Sequence, residues 1–217
     1  MLAVKSFTFN PFQENTYVLS SQGEAVIIDP GNSNKHETKE LDDYIASQNL
    51  SVKYLLNTHC HIDHVLGNYD VKEKYKVPFM IHPNDLPVLR SVKSYASNYG
   101  FPMYTECLPD SYLAEGDEVV FGDARTKVLF VPGHAPGHIA FYFEEDKKIF
   151  SGDVLFRSSI GRTDLPGGDF DTLINSISQR LFTLPDETVV YPGHGPTTKI
   201  GFEKKHNPFC GEIESWL

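Results

Sequence analysis

Thr58-His59-Cys60-His61-Ile62-Asp63-His64 follows the apolar run Tyr54-Leu55-Leu56 after a single Asn57 and packs three imidazoles and a carboxylate into six residues. Neutral imidazole and carboxylate are the side chains that bind borderline divalent metals such as zinc, manganese and iron. The apolar run reads as a buried strand, and burying several imidazoles and an acid at its end is costly unless each is paired or metal-bound. An isolated histidine is usually solvated or packed; this cluster reads as a metal site. Side chains alternate faces along an extended segment, so His59, His61 and Asp63 are expected to converge on one side, with His64 turning in from the next residue. Four candidate ligands in one short segment exceed what a single closed site with distant partners needs, which points to two adjacent metals. Cys60, between two of them, is expected to face the other way as a small packed thiol.

Working outward, the chain begins with strand-like runs over Leu2–Phe9, Thr16–Ser20 and Ala25–Ile28, the last closed by the turn Asp29-Pro30-Gly31. The periodicity predicts helices over Glu37–Gln48, Asn68–Lys76 and Asp85–Ala96, with strands at Val52–Asn57 and Pro78–Ile81 between them. Ser97–Pro109 has no period and reads as an aromatic loop around Tyr99, Phe101 and Tyr104. The second half repeats the pattern: strands Lys127–Val131, Ile139–Phe143, Lys147–Ser151 and Thr188–Tyr191, with helices at Phe170–Leu181 and Lys199–Lys205. Two sets of strands, each with helices to cover one face, predict a layered α/β sandwich.

Three more strands run into a candidate ligand beside a glycine: Pro132-Gly133-His134, Ser151-Gly152-Asp153 and Pro192-Gly193-His194. Glycine permits the tight turn that brings such a side chain over a sheet edge, and rigid strands hold ligand geometry better than a flexible loop.

The chain has 217 residues, 40% of them hydrophobic, enough for a substantial core, and no linker divides it, so one domain over residues 1–217 is expected. A formal net charge of −10 argues against nucleic acid as a ligand. No apolar run approaches the roughly 18 residues of a membrane span, and Met1–Phe12 lacks the features of a signal peptide. No membrane association and a cytoplasmic location are therefore expected. Cys60, Cys107 and Cys210 are odd in number and scattered, which is not a disulfide framework.

With these seven residues in hand, the chain resembles the metallo-β-lactamase superfamily, whose pattern is His-x-His-x-Asp-His followed by a distant His, Asp and His. The resemblance runs along the whole chain and includes the Asp29-Pro30-Gly31 turn. It implies a four-layer αβ/βα sandwich with a metal pair at one edge. It further implies that His59, His61 and His134 hold one metal, Asp63, His64 and His194 the other, and that Asp153 bridges both. Two divalent ions are expected, zinc first, with iron or manganese acceptable to the same donors.

Within the superfamily the chain looks most like the short glyoxalase II-type hydrolases. The segments that carry this are Pro132–His138, Gly161–Asp169, Pro192–Thr198, Ile200–Glu203 and Asn207–Phe209. Glyoxalase II enzymes proper carry a further C-terminal helical region with glutathione-binding residues, and this chain ends at Leu217. The expectation is a hydrolase of a small-molecule acyl substrate, thioesters such as hydroxyacylglutathione in particular, by attack of a metal-bridging hydroxide on the carbonyl. Asp63 and Asp153 are the catalytic candidates, as ligands that orient the hydroxide. A mononuclear-iron persulfide dioxygenase and a lactonase of the same superfamily are the alternatives.

His138 and Arg162 are either outer partners that orient the ligands, or a packed imidazole and a loop ion pair from Arg162 to Asp164. Asp29 either reaches the metal loop or serves its Pro-Gly turn. His36 and His206 are expected in solvent, and His82 at a rim or helix start.

Overall fold

A computed structural model gives the fold and describes residues 1–212. The first half builds β1 (Ala3–Phe9), β2 (Glu14–Ser21), β3 (Glu24–Ile28), β4 (Ser51–Leu56), β5 (Phe79–Ile81) and β6 (Ser111–Tyr112). These lie side by side in chain order, antiparallel up to β3 and parallel from β3 to β6. The second half builds β7 (Glu118–Phe121), β8 (Ala124–Phe130), β9 (Ile139–Phe143), β10 (Lys148–Gly152), a short hairpin of β11 (Leu155–Phe156) and β12 (Ser159–Ile160), then β13 (Val189–Pro192) and β14 (Thr198–Lys199). Its sheet runs β7-β8-β9-β10-β13-β14, and only β10 and β13 are parallel neighbours.

Helices α1 (Lys35–Ser47), α2 (Ile62–Val65), α3 (Asn68–Tyr75) and α4 (Leu86–Tyr95) belong to the first half, and α5 (Phe170–Ser176) and α6 (Ile200–His206) to the second. Asn34 starts α1 by accepting from the His36 and Glu37 amides, and Asp169 starts α5 by accepting from the Thr172 amide.

Strand alternation sorts the core into layers. On β3, Ala25 and Ile27 face the outer helices, where they meet Leu41 and Ile45 of α1, Val71 of α3, and Leu89 and Val92 of α4. Val26 and Ile28 face the other way and join Phe121, Phe141, Phe143 and Phe150 between the sheets. On the far side, Ala140, Tyr142 and Ile149 pack against Leu173 of α5 and Ile200 of α6. Helices, sheet, sheet and helices make the expected four-layer α/β sandwich. Each fully buried phenylalanine of the central layer contributes about 1.5–3 kcal/mol.

Several elements differ from the sequence reading. β6, β11, β12 and β14 have two residues each, too few to show a period. β7 alternates exposed and buried over four residues and was not predicted. The helix expected over Phe170–Leu181 is α5 followed by a π-helical turn at Ile177–Leu181. A 3-10 turn at Ala96–Tyr99 takes the start of the expected aromatic loop. Among the described residues no helix is long and apolar enough to cross a membrane.

Candidate metal centre

The residues after β4, β8, β10 and β13 meet at one edge of the sandwich. Beyond β4, His61 is in extended backbone, while Cys60 before it is fully buried in the outer core and its amide donates to Asp85 Oδ2 at 2.6 Å. From Ile62 the chain turns into α2, so Asp63 and His64 arrive on a helical turn. This corrects the expectation of simple alternation through Asp63. The turn forms because its carbonyls have partners elsewhere: Asn10 Nδ2 donates to Asp63 O at 3.0 Å and Asn57 Nδ2 to His64 O at 2.8 Å.

Four imidazoles have one ring nitrogen fixed by a partner outside the cluster. Thr58 Oγ1 donates to Asp29 Oδ2 at 2.6 Å and so accepts from His59 Nδ1 at 3.1 Å. His64 Nδ1 donates to Asp29 Oδ2 at 3.2 Å, His134 Nδ1 to the Arg162 carbonyl at 2.7 Å, and His194 Nδ1 to the carbonyls of Phe12 and Gln13 at 3.1 and 3.2 Å. A proton placed on Nδ1 leaves the Nε2 lone pair of each ring pointing inward.

Those lone pairs converge. His134 Nε2 lies 3.3 Å from His59 Nε2 and 2.8 Å from His61 Nδ1. His194 Nε2 lies 3.0 Å from Asp63 Oδ2, and His64 Nε2 lies 3.5 Å from both Asp63 Oδ2 and Asp153 Oδ1. Asp153 Oδ2 stands 3.6 Å from His134 Nε2 and 3.5 Å from His194 Nε2, so this carboxylate touches both sets of imidazoles. His64 Nε2 and Asp153 Oδ1 are buried without a hydrogen-bond partner. Acceptor atoms gathered face to face repel one another unless a cation lies among them. Three groups of donors have ligand atoms within 4.8 Å of one another and could hold a metal ion: the triads His59, His61 and His134, and Asp63, His64 and His194, and between them Asp29, His59 and His64.

The electrostatics divide the imidazoles. Burial pushes His59 well below the ordinary imidazole range, His61 down to about 3 and His134 also downward, so these rings are neutral and ligand-competent. His64 is moved the opposite way: burial opposes its charge, but Asp63 and Asp153 outweigh it and raise the ring. At Asp153 burial opposes ionisation and is overcome by His64, so this carboxyl sits far below its usual range.

The residues with two possible roles resolve as follows. Asp29 does more than close its turn: in a left-handed conformation (φ +50°), it accepts from the Thr58 amide at 2.7 Å, Thr58 Oγ1, Asn57 Nδ2 and His64 Nδ1. His138 is buried, stacks on His59 with centroids 4.5 Å apart, and bonds through Nε2 to the Ser151 carbonyl at 3.0 Å. The Arg162 side chain makes a bidentate pair with Asp164 at 2.7 Å, and it is the Arg162 carbonyl that orients His134. His36 and His206 are exposed, and His82 caps a helical turn and stacks on Phe130.

Sequence reasoning passed over the residues that hold these loops. Asp85 bridges two of them, accepting from the Cys60 and Gly137 amides at 2.6 and 2.7 Å. Asn15 Nδ2 donates to the carbonyls of Pro192 and Gly195, and Tyr17 Oη to Pro192 O at 2.6 Å, which pins the His194 loop to β2. Glu14 is fully buried 3.9 Å from His64 Nδ1, and burial raises its carboxyl well above the usual range. The one signal for this layer was Glu14-Asn15-Thr16, a polar run directly before the apolar Tyr17-Val18-Leu19 of the same buried strand.

The donors open into a cleft of about 900 Å³ whose wall includes Phe12, Val88, Tyr95, Phe156, Ile160 and Leu165, with Arg162 its one cationic side chain among the described residues.

Residues 9–194 match the family model of the metallo-beta-lactamase superfamily. A probable metallo-hydrolase of Bacillus subtilis, YqgX, is 38% identical over 92% of this chain and 93% of its own length. The hydroxyacylglutathione hydrolase GloC of Haemophilus influenzae is 39% identical over 91% of this chain and 93% of its own. TTHA1623, solved in a di-iron-bound form, superposes with a TM-score of 0.85 and 41% identity over 95% of this chain and all of its own. Family model, relatives and fold agree with the convergent histidines and carboxylates: the chain belongs to the metallo-β-lactamase superfamily.

Proposed function

We propose that the protein hydrolyses thioesters of small acyl groups, with hydroxyacylglutathione as the leading substrate, at a pair of metal ions. His59, His61 and His134 would hold one ion and Asp63, His64 and His194 the other, with Asp153, which contacts imidazoles of both triads, placed to serve either. Zinc is the proposed metal, and the di-iron form of TTHA1623 makes iron its rival. Divalent ions held there supply water ionised near neutral pH and a Lewis acid for a carbonyl oxygen.

The observation that carries the substrate class is the cleft wall. It is largely apolar and aromatic, and its one cation among the described residues, Arg162, is tied to Asp164. Such a wall suits a neutral acyl carbonyl better than a phosphoryl group, which calls for several cations. Asp63 and Asp153 are engaged with imidazoles, so neither is a free acid for a leaving group. A thiol of ordinary pKa about 8.5 departs as thiolate without one, which favours thioesters over amides. Asp63 and Asp153 thus act by orienting the nucleophile, while Phe12, Val88 and Phe156 exclude bulk water from the acyl group.

The test is a panel of lactoylglutathione, oxygen esters and acyl-homoserine lactones on protein of measured metal content. Preferred cleavage of the thioester supports the proposal. Faster lactone cleavage, or oxygen uptake with glutathione persulfide by protein holding one iron, overturns it.

A further inference from the structure

The turn joining β1 to β2 touches both outer members of the second triad, and Asn10 is its hub. Asn10 is buried and in the left-handed region (φ +50°), and the exposed Gln13 shares that backbone conformation (φ +58°). Its side-chain amide donates to Gly31 O and to Asp63 O, both at 3.0 Å, so it holds the main chain of one metal donor. Its Oδ1 accepts from the Phe12 amide at 3.0 Å, and its carbonyl accepts from the Gln13 amide at 3.1 Å. That fixes the two carbonyls on which His194 Nδ1 rests. The Asn10 amide itself is anchored on Glu37 Oε1 of α1 at 3.0 Å. The first triad is oriented by other groups, Thr58 and the Arg162 carbonyl.

We infer that Asn10 is a positioning residue for the second triad: by tying Asp63 to the carbonyls beneath His194, it sets the metal affinity of Asp63, His64 and His194 and leaves that of His59, His61 and His134 alone. The bland explanation is that Asn10 is there because asparagine tolerates a left-handed turn. The two separate cleanly, because glycine tolerates that conformation at no steric cost yet has no amide to donate.

The inference rests on the two-triad reading of the donors, and its test reads metal rather than turnover. Metal-free protein is titrated with Zn²⁺ against a chromophoric chelator, for wild type, Asn10→Gly, Asn10→Asp and Phe12→Ala, with circular dichroism to verify folding. Partners that orient metal ligands are typically worth roughly 10–100-fold in affinity. Asn10→Gly is expected to weaken one of two zinc sites by that factor and leave the other at its wild-type value. Asn10→Asp, which sets a carboxylate against two carbonyls, does the same while keeping an acceptor for the Phe12 amide. Phe12→Ala keeps both backbone carbonyls and both affinities. Two wild-type affinities in Asn10→Gly, or equal weakening of both sites in the folded Asn10 variants, overturns the inference. A wild-type chain that binds one zinc overturns the two-triad reading itself, and the inference with it.

Discussion

Replacing Asp29 by asparagine tests how the outer shell controls the metal centre. The Asp29 carboxylate is buried and serves four donors: Oδ1 takes the Thr58 amide at 2.7 Å and Asn57 Nδ2 at 3.1 Å, and Oδ2 takes Thr58 Oγ1 at 2.6 Å and His64 Nδ1 at 3.2 Å. An asparagine has a single oxygen and cannot serve both pairs. Its best placement keeps the oxygen on the two amides and turns its NH₂ toward Thr58 Oγ1 and His64. All four hydrogen bonds to the charged group, worth about 1.5–3 kcal/mol each, become neutral ones worth about 0.5–1.5, so the metal-free protein loses about 4–6 kcal/mol. For a chain of this size that lowers Tm by roughly 8–24 °C. The larger effect is on the tautomer. With an NH₂ opposite it, His64 Nδ1 must accept, its proton moves to Nε2, and the nitrogen that faces Asp63 and Asp153 can no longer bind a metal without losing that proton. Zinc affinity of the second triad is expected to fall roughly 10–100-fold. Scanning calorimetry of metal-free protein and chelator-competition titration measure the two effects. An Asp29→Asn variant with unchanged Tm and wild-type affinity at both sites would refute the reasoning.

Asp153→Asn is expected to lower bound metal and abolish hydrolysis with the fold retained; full activity would sink the two-metal mechanism. Gly193→Ala places a methyl group on Asp153 Oδ1 and 2.7 Å from His64 Cε1, so metal content should drop by half or more, and the forced shift of these buried groups should lower the metal-free Tm as well. Burial pushes Asp85 up to about 6 from an ordinary 3.8, so the folded protein holds this proton more tightly than the unfolded chain. The stability it adds is complete below about pH 4 and lost as the pH rises through 6, a swing of about 3 kcal/mol. Urea unfolding of metal-free wild type and Asp85→Asn should show their difference in stability shrinking over that window, and a pH-independent difference would rule the account out.

Much of the fold was legible because its signals are local. β3 and β9 alternate between two buried faces and end at a turn, so a short window of residues reveals them. Strand-end ligands were legible for the same reason, since His134 follows β8, Asp153 follows β10 and His194 follows β13 within a few residues. Two-residue strands such as β6 and β14 were not, because pairing rather than propensity creates them. Nor was the helical start at Ile62, which is held by Asn10 and Asn57 through bonds to the Asp63 and His64 carbonyls.

By itself the sequence determined the kinds of donor atom, their number and the layered α/β plan, because residue chemistry and period are carried by neighbours in the chain. Only the tertiary structure decided which nitrogen of each imidazole faces inward and what clamps the loops. Those choices depend on partners far apart in sequence: His194 rests on the Phe12 carbonyl 182 residues away, and Asn15 holds Pro192 from 177 residues away. A proton's position on a ring is set by the group it meets in space, and no local pattern encodes that meeting.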